Sequence, residues 1–395
     1  MIKKVGGIIK NNWYKLGFGI LFIVIFCGLY LYRLGGFVRG NTVFETSRYL
    51  GINGVEALFS HLALSPIKFL ELIMLKIDEP NSTLIRLVSV FIVSISFVVF
   101  YRLILKWQTH RIAILSTFLF ATSTFSLNLG RFSLQDSMYY LVIPSILLMG
   151  TWLRSKKYVK RVLYVLPVTA ILLYLPGFIF ILLTTLVVFR RRLMAAWRFC
   201  DVRLRLVGSS VALLLLVPMV YGLIRYPNQI TEFFGIDKLT KNGINEVVNR
   251  FIDIPKELLW SGLSEPHRWL FGTPVIDVVT VVFIVLGIYA FKKSVHTLRA
   301  RILYSLTLLC WVILSLSNVA TIALIIPLLY IFAAKGLAFM LQTWFIVFPR
   351  NPAARNLGAV LLFLPVILSA GYNMQRYFIA WHDSPKTAQA LNIKE

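Results

Sequence analysis

The chain has 395 residues, 58% of them hydrophobic and only 14% charged, with a mean hydropathy of +0.78. A soluble globular domain is about half apolar and about a quarter charged, and a disordered chain is poor in apolar residues, so both classes are excluded. The charge is lopsided, with 41 Lys+Arg against 16 Asp+Glu for a net +25; in a soluble chain this would suggest nucleic acid, in a membrane chain it follows from orientation.

A spanning helix needs about 20 mostly apolar residues. Segments approaching that requirement recur at 14–32, 84–105, 112–128, 137–153, 162–174, 176–189, 206–223, 271–291, 302–316, 320–336 and 356–372. They predict an all-α polytopic membrane protein with about 11 transmembrane helices and interfacial helices in its outer loops. The first span follows a basic stretch, but no small-x-small cleavage site comes after it and Phe26 precedes Cys27 where a lipobox needs a small residue. It reads as a retained anchor.

The segment 33–83 follows, with Glu45, Arg48, Tyr49, Glu56, His61, Lys68, Glu71, Asp78 and Glu79. Within it Leu64–Ile77 is apolar but too short to span; an amphipathic interfacial helix is expected, with Lys68, Glu71 and Lys76 toward water. Asn81-Ser82-Thr83 matches the N-glycosylation pattern, but an N-cap for the second span explains it better, since Asp78 and Pro80 precede a long apolar run. Between the third and fourth spans lie Arg131 and Asp136; the plain reading is a helix start whose dipole Asp136 offsets.

The fifth and sixth spans are short and meet at Tyr174-Leu175-Pro176-Gly177. Pro and Gly break a helix, so a tight re-entry between two spans is expected; one kinked helix is the alternative and would invert everything downstream. The segment 224–270 reads as amphipathic helices around Ile244–Ile252 and Pro255–Trp260, then a flexible turn over Ser261–Arg268 that includes His267. Asp277 falls just inside the eighth span, where a carboxylate is either functional or snorkels to the interface.

With the N-terminus in the cytoplasm, the short inner loops hold Lys3, Lys4, Arg154, Lys156, Lys157, Arg190, Arg191, Arg192, Arg299 and Arg301 among others, and every acid but Asp201 and Asp277 falls on an outer segment. This is the positive-inside pattern, and it places the C-terminus outside. A kinked fifth helix would put Arg190–Arg192 outside, which that pattern disfavours. The net charge therefore describes orientation, and no nucleic-acid partner is expected. The domain reading is a transmembrane unit over 1–372, with outer loops 33–83 and 224–270, and an extracytoplasmic tail over 373–395. Cys27, Cys200 and Cys310 form no disulfide framework or metal spacing, and no phosphate-loop, zinc-hydrolase or dinucleotide motif is present. Nor are there two matched halves with interrupted helices, which would favour a secondary transporter.

An N-terminal span followed at once by a long outer loop with a carboxylate resembles the GT-C glycosyltransferases, polytopic enzymes that use lipid-phosphate-linked sugars and include the protein O-mannosyltransferases and aminoarabinose transferases. Glu45-Thr46-Ser47-Arg48-Tyr49 resembles the family's Asp-Glu motif and the Arg-Tyr pair that often follows it, with Glu45 standing for the Asp. Ser65-Pro66-Ile67-Lys68-Phe69 is similar to its proline-bearing entry to an interfacial helix, with one proline where two are usual, and Ile85-Arg86-Leu87-Val88-Ser89 to the start of its second span. Asn128–Asp136, with Arg131 and Asp136, resembles the segment that opens its fourth, and Tyr174-Leu175-Pro176-Gly177 sits where the family has a Thr-Lys-Gly turn. The likeness covers residues 13–190 and continues beyond them only in layout. The turn lacks the family's Lys, and the Arg-Tyr often found near the tenth span is missing from Asn318–Leu329. Tyr377-Phe378-Ile379-Ala380-Trp381 resembles the lead-in to the soluble outer domain that many relatives carry.

The resemblance implies sugar transfer from a polyprenyl-phosphate donor to an exported protein, lipid or glycan acceptor on the outer face. A carboxylate must take the acceptor proton; Glu45 is the first candidate and Asp136 the second, as base or acceptor orienter. The departing phosphate needs cations, for which Arg48, Lys68 and Arg131 are available. Tyr49, His267, Arg268 and Asp277 are candidates for substrate contact or a lid. The plain alternative for Glu45 is a surface pair with Arg48. No metal cluster is evident, although a divalent cation could bridge Glu45 and Asp136. A non-catalytic scaffold or lipid-binding protein of the same fold, or an unrelated transporter or flippase centred on Asp277, are the competing expectations.

Overall fold

The structure is a computed structural model and describes residues 24–36, 59, 61–77, 82–132, 135–152, 162–266 and 268–391. Every regular element among them is helical. In chain order these are α1 (24–31), α2 (Ser65–Ile77), α3 (Ser82–Trp107), α4 (His110–Ala121), α5 (Thr124–Arg131), α6 (Tyr139–Trp152), α7 (Val162–Leu172), α8 (Phe178–Phe199) and α9 (Val202–Arg225). Then come α10 (Ile230–Phe234), α11 (Asp237–Asn242), α12 (Ile244–Lys256), α13 (Val278–Lys292), α14 (Leu298–Leu316), α15 (Ile326–Val347), α16 (Pro352–Gln375) and α17 (Pro385–Ala390).

Five helices among the described residues are long and apolar enough to cross a membrane, or six if the bent pair α4–α5 is one span. That count covers the described residues only and falls short of the about 11 spans expected. Among the described residues α13 has 15, while the 14 of α6 and the 11 of α7 count only the parts described, which adjoin the undescribed residues 153–161. The expected sixth span does not end at residue 189: α8 carries Arg190, Arg191 and Arg192 on its exposed surface and runs on to Phe199. The first expected span lies mostly outside the described residues.

The third expected span is broken. Its halves α4 and α5 meet at 63° across Thr122-Ser123. Three adjacent hydroxyl residues let side chains compete for backbone partners here: Ser123 caps α5 by accepting from the Ser126 amide, and the Thr122 hydroxyl donates to the Phe118 carbonyl at 2.8 Å. In a lipid environment each freed backbone group still needs a partner, and the Ala121 carbonyl accepts from the buried Tyr30 hydroxyl at 2.8 Å. The Thr124 amide and hydroxyl both donate to Asn373 Oδ1, tying the break to α16.

α15 lies at the centre, with 83% of its spanning window buried, as expected for a helix apolar all round. Its tightest partner is α13. A Cβ added to Gly287 would lie 1.9 Å from the Phe332 carbonyl oxygen, and one added to Gly336 would lie 2.0 Å from that of Phe283. Small residues on both helices let the backbones approach this closely, the usual device where lipid supplies no hydrophobic drive. Around this pair Phe120 packs on Tyr330 at 4.9 Å and on Tyr140 at 5.0 Å.

The break between α7 and α8 falls at the expected Tyr174–Gly177, where Gly177 takes φ +76° and begins α8. The Gly177 amide donates to the Phe233 carbonyl, docking the turn on α10. Helices stand where interfacial ones were expected, as α2 and α12, the latter followed by a π turn over Glu257–Ser261. In α2 Lys76 is exposed as expected and Lys68 is half-buried, but Glu71 is 1% exposed and packs inward, and Phe69, Ile73 and Ile77 are exposed. The helix beginning at Pro352 passes unbroken through residue 372, where the tail was expected to start, and ends at Trp381.

Candidate functional site

One end of the bundle gathers the polar side chains, and Asp136 is at its centre. Asp136 sits in the 3-10 turn Gln135–Met138 that leads into α6, and α2 packs against this turn. Its Oδ2 accepts from Arg268 Nη2 at 2.5 Å, with both side chains 15% exposed. Arg268 also reaches Glu265, at 3.2 Å. Burial works against the guanidinium charge, but Asp136 and Glu265 outweigh it and hold Arg268 above its ordinary value.

The segment that carries Arg268, expected as a flexible turn, makes several hydrogen bonds to the rest of the bundle. The amides of Arg268 and Trp269 both donate to the Glu265 carbonyl, and those of Val275 and Ile276 to the carbonyls of Glu257 and Leu258. Asn128 Nδ2 donates to the Arg268 carbonyl at 2.5 Å. Trp269 is 1% exposed and donates to the Thr273 carbonyl at 2.7 Å, while the Arg376 guanidinium stacks on its ring at 4.6 Å and donates to Thr273 Oγ1 and the Pro274 carbonyl. Trp381 Nε1 donates to the Pro266 carbonyl at 3.2 Å.

Around the Asp136–Arg268 pair are buried polar atoms with no hydrogen-bond partner among the described residues: Ser137 Oγ, Tyr139 Oη and Arg268 Nε. Asp136, Asp237 and Glu232 all bear electrostatically on Tyr139, which brings α10 and α11 to the same region. Asp237 is 2% exposed and both of its oxygens accept from the Asn318 amide. Beside it, burial holds the Lys238 ammonium below the usual lysine range; Arg250 adds to that effect, and Glu246, Asp237 and Glu257 oppose it. The arrangement offers one carboxylate, one guanidinium and several uncommitted donors, a set suited to an anion beside a proton acceptor.

The other sequence candidates separate. Glu45, Arg48, Tyr49 and His267 lie outside the described residues. Lys68 is half-buried on α2, near the Asp136 turn, and donates to the His61 carbonyl at 2.9 Å. Arg131, expected to face a phosphate, is 3% exposed and donates to the Leu29 and Tyr32 carbonyls at 2.6 and 2.7 Å, with Phe378 against its face. It caps the C-terminus of α1, whose last carbonyls have no helical donor. Asp277 is 4% exposed and precedes α13 as its N-cap. Its oxygens accept from Thr280 N at 3.0 Å, Thr280 Oγ1 at 2.7 Å, Ser369 Oγ at 3.0 Å and Asn373 Nδ2 at 3.1 Å.

Ser137, Tyr139, Asp237 and Lys238 were not singled out in the sequence. Their signal is weak, because each sits where an apolar segment meets a polar one and has a plain structural reading. Among the described residues no group of three or more His, Cys, Asp or Glu could hold a metal ion, and the Glu45 half of the expected cation bridge lies outside those residues. No protein family, no curated protein and no solved structure matches the chain.

Proposed function

We propose that this membrane protein is a glycosyltransferase of the GT-C type, moving a sugar from a polyprenyl-phosphate donor to a hydroxyl acceptor at the membrane face that carries Asp136. The observation that carries this reading is the Asp136–Arg268 pair, with Ser137 Oγ, Tyr139 Oη and Arg268 Nε beside it lacking a hydrogen-bond partner among the described residues. Buried donors in native proteins are nearly always paired, so three of them around one carboxylate suit a ligand with acceptor oxygens. The motif order over residues 13–190 adds support.

In the reaction the acceptor oxygen bonds to the anomeric carbon, the carbon–oxygen bond to the phosphate breaks, and that electron pair leaves with the lipid phosphate. The acceptor proton passes to a carboxylate, Glu45 or Asp136. Arg268 takes the part first given to Arg131, facing the charge that develops on the leaving phosphate. Glu45, Arg48 and Tyr49 would approach from the first outer segment. The hydrogen bonds that fill all sides of Asp277 argue against a transporter built around it.

One observation favours a second reading, a non-catalytic scaffold of the same fold: the Asp136 carboxylate is already ion-paired. Purified protein incubated with a panel of polyprenyl-phosphate sugars separates the two. Release of lipid phosphate by wild type, and its loss by about 10²–10⁴-fold in Asp136→Asn or Glu45→Gln, supports the enzyme. No release with any donor supports the scaffold.

A further inference from the structure

At the end of the bundle away from Asp136, α6, α7, α8 and α14 part around a crevice of about 500 Å³, inside the range of about 300–1,000 Å³ typical of ligand sites. The two sites lie at opposite ends of α6: Asp136 precedes its first turn, while Gly150 and Thr151 line the crevice from its last, roughly 20 Å away at 1.5 Å per residue.

The walls are apolar, formed by side chains such as Ile146, Leu166, Phe178, Leu182 and Leu306. The threonines that line it add little polarity, because Thr151, Thr169, Thr184 and Thr185 each spend their hydroxyl on a carbonyl one turn back. Gly150 leaves the wall open: a Cβ there would meet nothing within 4 Å. Among the described lining residues the charged ones are Arg299 and Arg301, in the first turn of α14. Both are exposed; Arg299 lies 5.7 Å from the Trp107 ring, and Arg301 donates to the His296 carbonyl. Trp107 closes α3 at the same level, where an indole suits the boundary between acyl chains and headgroups.

An apolar slot with two guanidinium groups at its mouth matches a molecule with a hydrocarbon tail and an anionic head, and guanidinium binds phosphate better than ammonium does. We infer that this crevice seats an acyl chain of an anionic phospholipid, with the phosphate held by Arg299 and Arg301. The site is separate from Asp136 and does not depend on the glycosyltransferase reading.

Native mass spectrometry of the purified full chain tests it, after equilibration with equimolar phosphatidylglycerol and phosphatidylcholine of the same acyl composition. Wild type is expected to retain phosphatidylglycerol over phosphatidylcholine by at least about five-fold, given the attraction of each basic side chain for an anionic headgroup. The exposed pair Arg299→Gln/Arg301→Gln brings the ratio near one. Gly150→Phe fills the slot and lowers retention of both lipids without loss of thermal stability. Equal retention of the two lipids by wild type, or a preference unchanged in both variants, overturns the proposal.

Discussion

Three arginines illustrate how a guanidinium is accommodated in a chain this apolar. Arg131 donates to the Leu29 and Tyr32 carbonyls, Arg376 to Thr273 and the Pro274 carbonyl, and Arg268 to the Asp136 carboxylate. Their roles follow from their partners. Arg131→Met leaves two helix-end carbonyls without a donor and is expected to destabilise the protein by about 1–3 kcal/mol; a thermal-shift measurement reads this, and the donor KM of the folded fraction stays unchanged. Asp277→Ala removes the cap of α13 and strands Ser369 and Asn373, for a loss of roughly 2–4 kcal/mol by the same measurement. Asp277 was visible in the sequence as a carboxylate in an apolar run, but two of its partners, Ser369 and Asn373, lie more than ninety positions away in another helix. The spacing of Arg131 and Asp136 suggested one local unit, whereas the fold gives Asp136 an arginine 132 residues distant. Pairings of that kind are set by tertiary packing, which local pattern does not record.

Helices and their breaks were more legible, because backbone chemistry is local. Pro176-Gly177 marked the break that the structure places between α7 and α8, and the length of Leu64–Ile77 marked α2 as too short to cross. The bend at Thr122-Ser123 escaped notice: a few hydroxyl residues do not lower the hydropathy of a window, yet they redirect backbone hydrogen bonds. Glu71 turned inward for a related reason, since periodicity names the faces of a helix but not which face meets the bundle. The contact between α13 and α15 makes a sharper prediction at this scale. Gly336→Leu puts a side chain where the Phe283 carbonyl already lies, so the helices must separate. The expected loss is about 3 kcal/mol or more, beyond ordinary overpacking because backbone obstructs it; thermal unfolding in detergent measures it, and Gly371→Leu, where a Cβ meets nothing within 4 Å, serves as the tolerated control.

For the molecule as a whole, composition gave the class and the bundle gave the arrangement. Charge pattern divides the chain into two sides, and the structure gathers Asp136, Arg268 and Trp381 at one end and Arg299 and Arg301 at the other. In sealed vesicles with the exposed Cys27 replaced by alanine, a membrane-impermeant thiol reagent is expected to label Glu265→Cys and Asp383→Cys from one side and Lys292→Cys from the other. Labelling of all three from the same side would refute the two-ended arrangement. The Asp136–Arg268 pair at the first of these ends can be probed by single-turnover sugar transfer measured against polyprenyl-phosphate donor concentration, for wild type, Asp136→Asn and Arg268→Gln. Asp136→Asn is expected to saturate at the wild-type donor concentration with a plateau lowered by about 10²-fold or more, and Arg268→Gln to need at least about ten-fold more donor. Wild-type rates and half-saturation in both variants would contradict the proposal.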